Sequence, residues 1–458
     1  MQGRRSMTLN DSGPLLLISS VFFFFLVTGG GGVASAGGRK IAAGGGGAER
    51  YAVIFDAGSS GTRVHVYCFD SELRLLPIGE DLELYVKTKP GLSAYASDPE
   101  EAANSLLPLM EKAEAAVPVE TRENTPVRVG ATAGLRSLGT EKSEQILEAI
   151  RALLQEKSSF SFQPEWVSVL SGTQEGKYMW VTINYLLGRL GKAYPHTAGV
   201  VDLGGGSVQM AYAVSSTNAA KAPPAKDGKD GYVNEFSLKG AEYNLYVHSY
   251  LNYGLLAARA EILKVGGGSG RSCILEGYEG SYNYGGETYN ASASASGSSF
   301  AKCRRAAVKA LNVDAPCETL NCTFSGVWNG GGGAGQRDLF LASFFFDKAA
   351  QADFIDPTAT TAKATPSDFK NAAKRACGMN LATANSTYSA VWPEDLPFIC
   401  MDLVYQYSLL VDGFALNPRR EITLVRQLPY GNFYGEAAWP LGSAIDAITS
   451  STNGHADN

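Results

Sequence analysis

Gly199-Val200-Val201-Asp202-Leu203-Gly204-Gly205-Gly206-Ser207-Val208-Gln209 is the stretch that decides the fold. An apolar run ends on an aspartate, a leucine and three glycines follow, and a hydroxyl and an amide stand just beyond. The run reads as a buried strand, and the glycines let the backbone turn tightly and approach a ligand closely. Successive N–H groups in such a turn form a concavity that binds anions, phosphate among them. Taken alone, the pattern is equally explained by a plain hairpin whose Asp and Gly serve backbone geometry only.

A second copy changes the weighting. Val53-Ile54-Phe55-Asp56-Ala57-Gly58-Ser59-Ser60-Gly61-Thr62-Arg63 repeats the layout, and alternation resumes at Val64. Asp56 matches Asp202, Gly58 matches Gly204, and Gly61 falls opposite Ser207. The copies lie about 146 residues apart, too far for a stacked repeat and well suited to two duplicated lobes. Each lobe then offers one phosphate-gripping hairpin to a shared cleft. Two such loops point to a nucleotide clamp.

With 458 residues the chain can bury a large core and should form at least two domains. Apolar content of 45% and charged content of 18% suit a globular protein. The net charge of -6, without any long Lys/Arg run, argues against a nucleic-acid partner. An anionic ligand must therefore be held locally, by amides and a metal. The composition says nothing about oligomeric state.

Arg4 and Arg5 precede an apolar stretch over residues 14–28, and no charge occurs between Asp11 and Arg39. Ala34-Ser35-Ala36 resembles a signal-peptidase site, so a cleaved secretory signal is one reading. A single N-terminal membrane anchor, extended through the glycines, is the other. Both bring the folded part into the secretory pathway, anchored in the Golgi or at the cell surface, or secreted. Cys68 falls in the first lobe; Cys273, Cys303, Cys317, Cys322, Cys377 and Cys400 fall in the second. Nearest-neighbour pairing (273 with 303, 317 with 322, 377 with 400) closes the simplest loops, and disulfides persist in oxidising compartments. Cys68, among alternating apolar residues, reads as a buried thiol. Sequons at Asn290, Asn321 and Asn385 agree with a glycoprotein.

Along the chain, residues 1–48 read as the targeting segment and a glycine-rich linker. Residues 49–197 read as the first lobe and 198–435 as the second. A closing helix near 436–449 completes the first lobe, and 450–458 read as a frayed tail. Ser97-Asp98-Pro99-Glu100 predicts a capped helix to about residue 116. A strand is expected over 127–131, a helix over 141–154 and a strand over 166–170. Ser171-Gly172-Thr173 then turns into a helix carrying Met179, Trp180, Ile183 and Leu186. Further helices are expected over 243–263 and 402–411, with low-complexity loops at 215–231, 291–299, 329–335 and 356–367. Strands alternating with helices in duplicated halves mean α/β architecture.

No Walker-type spacing, no nucleophile elbow and no His-rich zinc pattern is present. His65, alternating in a strand, reads as structural. Glu175 stands out because it opens a helix directly after a buried strand, at the sheet edge where α/β proteins bind ligands. Alone, an acid there would serve the helix dipole. Asp56 and Asp202 also end strands, however, so three carboxylates can converge on one cleft. Hard oxygen ligands suit Ca2+ or Mg2+ bridging nucleotide phosphates. A carboxylate not neutralised by that metal can take a proton from attacking water. Ser207 and Gln209 are placed to orient the water; Thr132 and Arg136 can reach a terminal phosphate or cap a turn.

Five ordered segments carry a resemblance. Asp56-Ala-Gly-Ser-Ser-Gly-Thr-Arg, Ala131-Thr-Ala-Gly-Leu-Arg, Ser171-Gly-Thr-Gln-Glu-Gly-Lys-Tyr-Met-Trp, Asp202-Leu-Gly-Gly-Gly-Ser-Val-Gln and Trp439-Pro-Leu-Gly-Ser-Ala resemble the motifs of the apyrases, the nucleoside triphosphate diphosphohydrolases. The plant branch is the most similar, and the match spans residues 51–448. The resemblance implies the fold of actin, sugar kinases and heat-shock chaperone ATPases: α/β, with two ribonuclease-H-like lobes around a nucleotide cleft. It implies phosphate binding by Asp56, Ala57, Gly58, Ser59, Ser60, Gly61 and Thr62, beside which Arg63 and Thr132 are further phosphate-binding candidates. On the second lobe it implies the same for Asp202, Leu203, Gly204, Gly205, Gly206, Ser207, Val208 and Gln209. Glu175 falls on the catalytic base, Ser207 and Gln209 on the water-positioning pair, and Asp56 and Asp202 on the residues that hold a Ca2+ or Mg2+ ion through water. Base stacking is implied from the second lobe, with Phe344, Phe345 and Tyr407 as candidates. Gly206 stands where animal relatives often carry alanine.

The implied reaction is hydrolysis of ATP to ADP and of ADP to AMP. A Golgi enzyme of the same family that prefers nucleoside diphosphates is an alternative. A metabolite kinase of the wider superfamily is another, against which Glu175 and the secretory signals argue. A non-catalytic binding protein of actin-like fold is disfavoured by the intact set of Asp56, Glu175, Asp202 and Ser207.

Overall fold

Ala52 and Ile54 belong to one apolar layer and Val53, Phe55 and Ala57 to another, so this stretch is a strand buried on both faces. The computed structural model describes residues 49–58, 61–225, 231–319 and 321–453. The targeting segment, the glycine linker, Ser59, Ser60 and the last five residues lie outside them. The first lobe contains β1 (Arg50–Gly58), β2 (Gly61–Phe69), β3 (Leu75–Leu76), β4 (Glu83–Thr88), β5 (Val127–Ala131) and β6 (Val167–Val169). Their order is β3-β2-β1-β5-β6, with β4 also paired to β2. Its helices are α1 (Pro99–Asn104), α2 (Leu107–Ala116), α3 (Ala133–Arg136), α4 (Thr140–Lys157) and α5 (Gly172–Leu186).

The second lobe is built on β7 (Gly199–Leu203), β8 (Ser207–Val214), β9 (Val233–Leu238), β10 (Ala241–Leu251), a ribbon of β11 (Ser281–Tyr284) and β12 (Glu287–Asn290), β13 (Leu339–Ser343), β14 (Thr361–Ala364) and β15 (Ile422–Val425). The main sheet runs β14-β15-β13-β7-β8-β10-β9. A hairpin, β16 (Gln427–Tyr430) and β17 (Phe433–Glu436), follows. The helices are α6 (Ser216–Ala219), α7 (Leu255–Gly266), α8 (Phe300–Leu311), α9 (Phe344–Gln351), α10 (Pro366–Ala376), α11 (Leu381–Thr387), α12 (Ile399–Ser408) and α13 (Trp439–Asn453).

The two aspartate–glycine stretches are equivalent hairpins. Asp56 stands opposite Arg63 in β1–β2, and Asp202 opposite Gln209 in β7–β8. Each leading strand has a parallel neighbour on its other side, β5 or β13. The last helix returns to the first lobe, packing on α5 and β1. There Thr182 Oγ1 donates to the Ala438 carbonyl at 2.8 Å and accepts from Gly442 N–H at 2.9 Å, and Arg128 pairs with Asp446 at 2.9 Å.

Several local expectations change. The helix expected over 97–116 is two helices: Asp98, not Ser97, caps α1, accepting from Glu101 N–H at 3.1 Å. Pro108 has no N–H to continue the ladder and lies in the first turn of a new helix. Residues 243–263 are not one helix but β10 followed by α7. Tyr243, Leu245 and Val247 face one layer and Tyr246 and Tyr250 the other, so two buried faces produced an apolar run without a clean period. The 356–367 loop contains β14, an edge strand antiparallel to β15. The expected frayed tail begins later, because α13 continues to Asn453. The disulfides join Cys273 to Cys303, Cys317 to Cys322 and Cys377 to Cys400, and Cys68 is a buried free thiol. Among the described residues, no helix is long and apolar enough to cross a membrane.

Candidate active site

Ser171 is the cap of α5 rather than part of a free turn. Its Oγ accepts from Gln174 N–H at 3.1 Å, and its own N–H donates to Gln174 Oε1 at 3.0 Å. This reciprocal pair fixes the helix start directly after β6 and so fixes Glu175. Glu175 Oε2 accepts from Arg136 Nη2 at 2.5 Å and from Gln209 Nε2 at 3.1 Å. Gln209 Nε2 also lies 2.7 Å from Ser207 Oγ and 2.9 Å from Ser249 Oγ, and Arg136 Nη2 lies 3.3 Å from Ser207 Oγ. One polar network therefore joins α3 and α5 of the first lobe to β8 and β10 of the second.

Its electrostatics follow from burial. Glu175 is 8% exposed, and burial drives its carboxyl up to about 7; Arg136 opposes the rise, while Asp202 and Asp56 add to it. Asp202 is raised by burial too, with the Ser343 hydroxyl, donating at 2.6 Å, opposing and Asp56 adding. Asp56 pairs with Arg63 Nη1 at 3.2 Å.

The glycine loop is turned by α7 behind it. Leu255 N–H donates to the Gly204 carbonyl at 2.9 Å, Leu256 and Ala257 N–H both donate to that of Gly205 at 3.0 Å, and Asn252 N–H donates to that of Gly206 at 2.8 Å. The first N–H groups of a helix have no partner inside it, so they are free to hold these carbonyls. The amides of Gly205 and Gly206 donate to no backbone carbonyl among the described residues. Gly254 permits this fit, because a Cβ there would run into Ser207 N and the Gly205 carbonyl. Sequence reasoning missed Gly254, Ser249 and Ser343. Each is a small residue with no motif around it, and its role exists only once the chain has folded onto the loop.

A cleft of about 320 Å³ brings together Asp56, Gly58, Arg63, Thr132, Glu175, Asp202, Gly204, Gly205, Gly206 and Ser207. Gln209 is buried and reaches Glu175. Ala57, Thr62, Leu203 and Val208 point their side chains into the interior, leaving only their backbone to a ligand. Gly61 closes the first hairpin opposite Gly58. Ser59 and Ser60 lie outside the described residues. Gly206 meets the other lobe: a Cβ on it would stand 2.8 Å from Ala133 Cβ, so alanine there requires the loops to part slightly. Of the aromatic candidates, Phe344 borders the cleft, whereas Phe345 and Tyr407 are packed in the core. Phe346, under the Arg426 guanidinium at 5.1 Å, also borders it.

The chain matches the GDA1/CD39 (nucleoside phosphatase) family over residues 46–456. Probable apyrase 1 of Oryza sativa subsp. japonica is 65% identical over 404 residues, 88% of this chain and 83% of that protein. Apyrase 1 of Arabidopsis thaliana is 57% identical over 403 residues, 88% of this chain and 86% of that one. Among solved structures, nucleoside triphosphate hydrolases from Neospora caninum superpose with a TM-score of 0.61 at 13% identity, covering 89% of this chain and 93% of the other. That likeness is one of fold, the two-lobed actin/hexokinase type. The duplicated hairpins, the shared cleft and relatives of this identity lead to one assignment: the chain belongs to the GDA1/CD39 nucleoside phosphatase family.

Proposed function

We propose that this chain is an apyrase, hydrolysing the terminal phosphoanhydride bond of nucleoside tri- and diphosphates, ATP to ADP and ADP to AMP. The observation that carries the reading is Glu175, a buried carboxylate titrating near 7 between two phosphate-type hairpins, fixed by Arg136 and Gln209. Asp56 and Asp202 fit a divalent cation: both line the cleft, and Asp202 is held above its ordinary range by burial with Asp56 adding to the rise. A Ca2+ or Mg2+ ion held there through water would neutralise phosphate charge.

The protein's own groups do the rest. The free amides of Gly205 and Gly206 face developing charge on the transferring phosphoryl group. Ser207 and Gln209 orient a water; Glu175 takes its proton as the new O–P bond forms, and the bridging bond breaks with its electron pair leaving on the nucleotide. Arg136 holds Glu175 in place. We infer that the folded part works in the secretory pathway, on the strength of its three disulfides.

The test is phosphate release from ATP, ADP and AMP by the purified protein, with Ca2+, with Mg2+ and with EDTA. Release from ATP and ADP, not from AMP, and none in EDTA is expected. Glu175→Gln should lose about 10²–10⁴-fold in rate while keeping nucleotide binding. Undiminished turnover in that variant would move the base elsewhere. No release from either nucleotide would end the apyrase reading, and a strong excess with diphosphates would favour the Golgi-type preference.

A further inference from the structure

The same cleft holds a second charged cluster that hydrolysis does not use. β2 and β4 pair with His65 opposite Tyr85 and Tyr67 opposite Glu83, so these four side chains share one face. β17 brings Glu436 to that face. Ligand atoms of His65, Glu83 and Glu436 all lie within 4.8 Å of one another. His65 Nδ1 stands 2.8 Å from Glu83 Oε2 and 3.3 Å from the Tyr67 hydroxyl.

Three observations separate this cluster from ordinary packing. His65 is 1% exposed, and the nitrogen it turns to the cluster, Nδ1, faces a carboxylate oxygen and a hydroxyl rather than a backbone carbonyl. Two largely buried carboxylates face one imidazole, and the Arg63 guanidinium on the same strand as His65 is ion-paired with Asp56. Two carboxylates against one imidazole leave a negative charge unmatched within the cluster even when the ring is protonated. Finally, His65 and Glu436 border the cleft, so an ion can reach them without unfolding.

We propose that His65, Glu83 and Glu436 form a binding site for a transition-metal dication of the zinc class, distinct from the cation that accompanies the nucleotide. One imidazole nitrogen with two carboxylate oxygens favours Zn2+ over Ca2+ and Mg2+, which prefer oxygen alone. Zinc bonds of roughly 2.0–2.2 Å set tetrahedral donors about 3.4 Å apart. His65 and Glu83 therefore open slightly and Glu436 closes in, leaving a fourth position toward the cleft. The ligands lie on three strands, with His65 and Glu83 18 residues apart and Glu436 near the far end of the chain, which is why no zinc spacing is visible there.

The experiment titrates Zn2+ alone into the nucleotide-free protein against a chromophoric chelator, in excess Mg2+. One Zn2+ per chain is expected, with His65→Gln and Glu436→Gln each weakening binding by about tenfold or more. His196→Gln, on an exposed turn, should change nothing. Co2+ substituted for Zn2+ in the wild type should show visible bands without the strong ultraviolet absorption of a thiolate ligand. This arm stands even if a variant fails to fold. Absence of stoichiometric binding, binding indifferent to both variants, or binding lost only on Cys68→Ser would overturn the site.

Discussion

A carboxyl pushed up to about 7 binds its proton more tightly in the folded chain than in the unfolded one, where 4.5 is the reference. For Glu175 this is a stability cost. It is absent below about pH 4.5, grows as pH rises to 7 and stays level above, reaching roughly 3 kcal/mol. Glu175→Gln removes the charge while its side-chain carbonyl can still accept from Arg136. The variant should therefore gain melting temperature over the wild type at pH 8 and little at pH 5. A gain equal at both pH values would mean that burial does not govern this group. The activity side has the same origin: kcat/KM should rise with an apparent pKa near 7, and that limb should vanish in the variant. Asp56 and Asp202 were legible in the sequence because each follows an apolar strand run in a duplicated motif, and Glu175 because it opens a helix directly after a strand. Ser249 and Ser343 were not, because a lone serine takes its meaning from the neighbour that tertiary folding supplies.

At the scale of elements, the glycine loop keeps its shape because α7 holds its carbonyls from behind. Gly254→Ala keeps the helix but drives a Cβ into Ser207 N and Gly205, so the loop must move toward the cleft. A shift near 1 Å in a positioning group costs about 10²-fold. Gly254→Ala should thus lower kcat/KM by that order with the fold intact by circular dichroism. Unchanged kinetics would show that the loop tolerates displacement. The sequence exposed the loop and not its support, for a physical reason. β10 is buried on both faces, and its apolar run continues into α7, which concealed the turn that brings Gly254 to the loop. Where one periodicity governed a segment, as over 141–154, the expected helix is present and only its ends differ.

For the whole molecule, the duplication announced two lobes, and the closing helix was expected near its observed place. What the sequence did not disclose is how closely that helix seats. Gly442 lies against the α5 backbone, and a Cβ there would overlap the Tyr178 carbonyl. Nearby, Thr182 ties Ala438 and Gly442 to α5, while Arg128 and Tyr178 meet Asp446 at 2.9 and 3.3 Å. α5 also carries Glu175, about one turn before Tyr178, so the contact that closes the first lobe shares a rigid element with the proposed base. Gly442→Ala should act as overpacking does, costing about 1–3 kcal/mol in urea unfolding. It should also depress kcat more than it raises KM, because the nucleotide loops stay in place while Glu175 shifts. Unchanged stability would mean that α13 slides freely on α5. A stability loss with unchanged kcat would mean that the displacement dissipates along α5 before reaching the site.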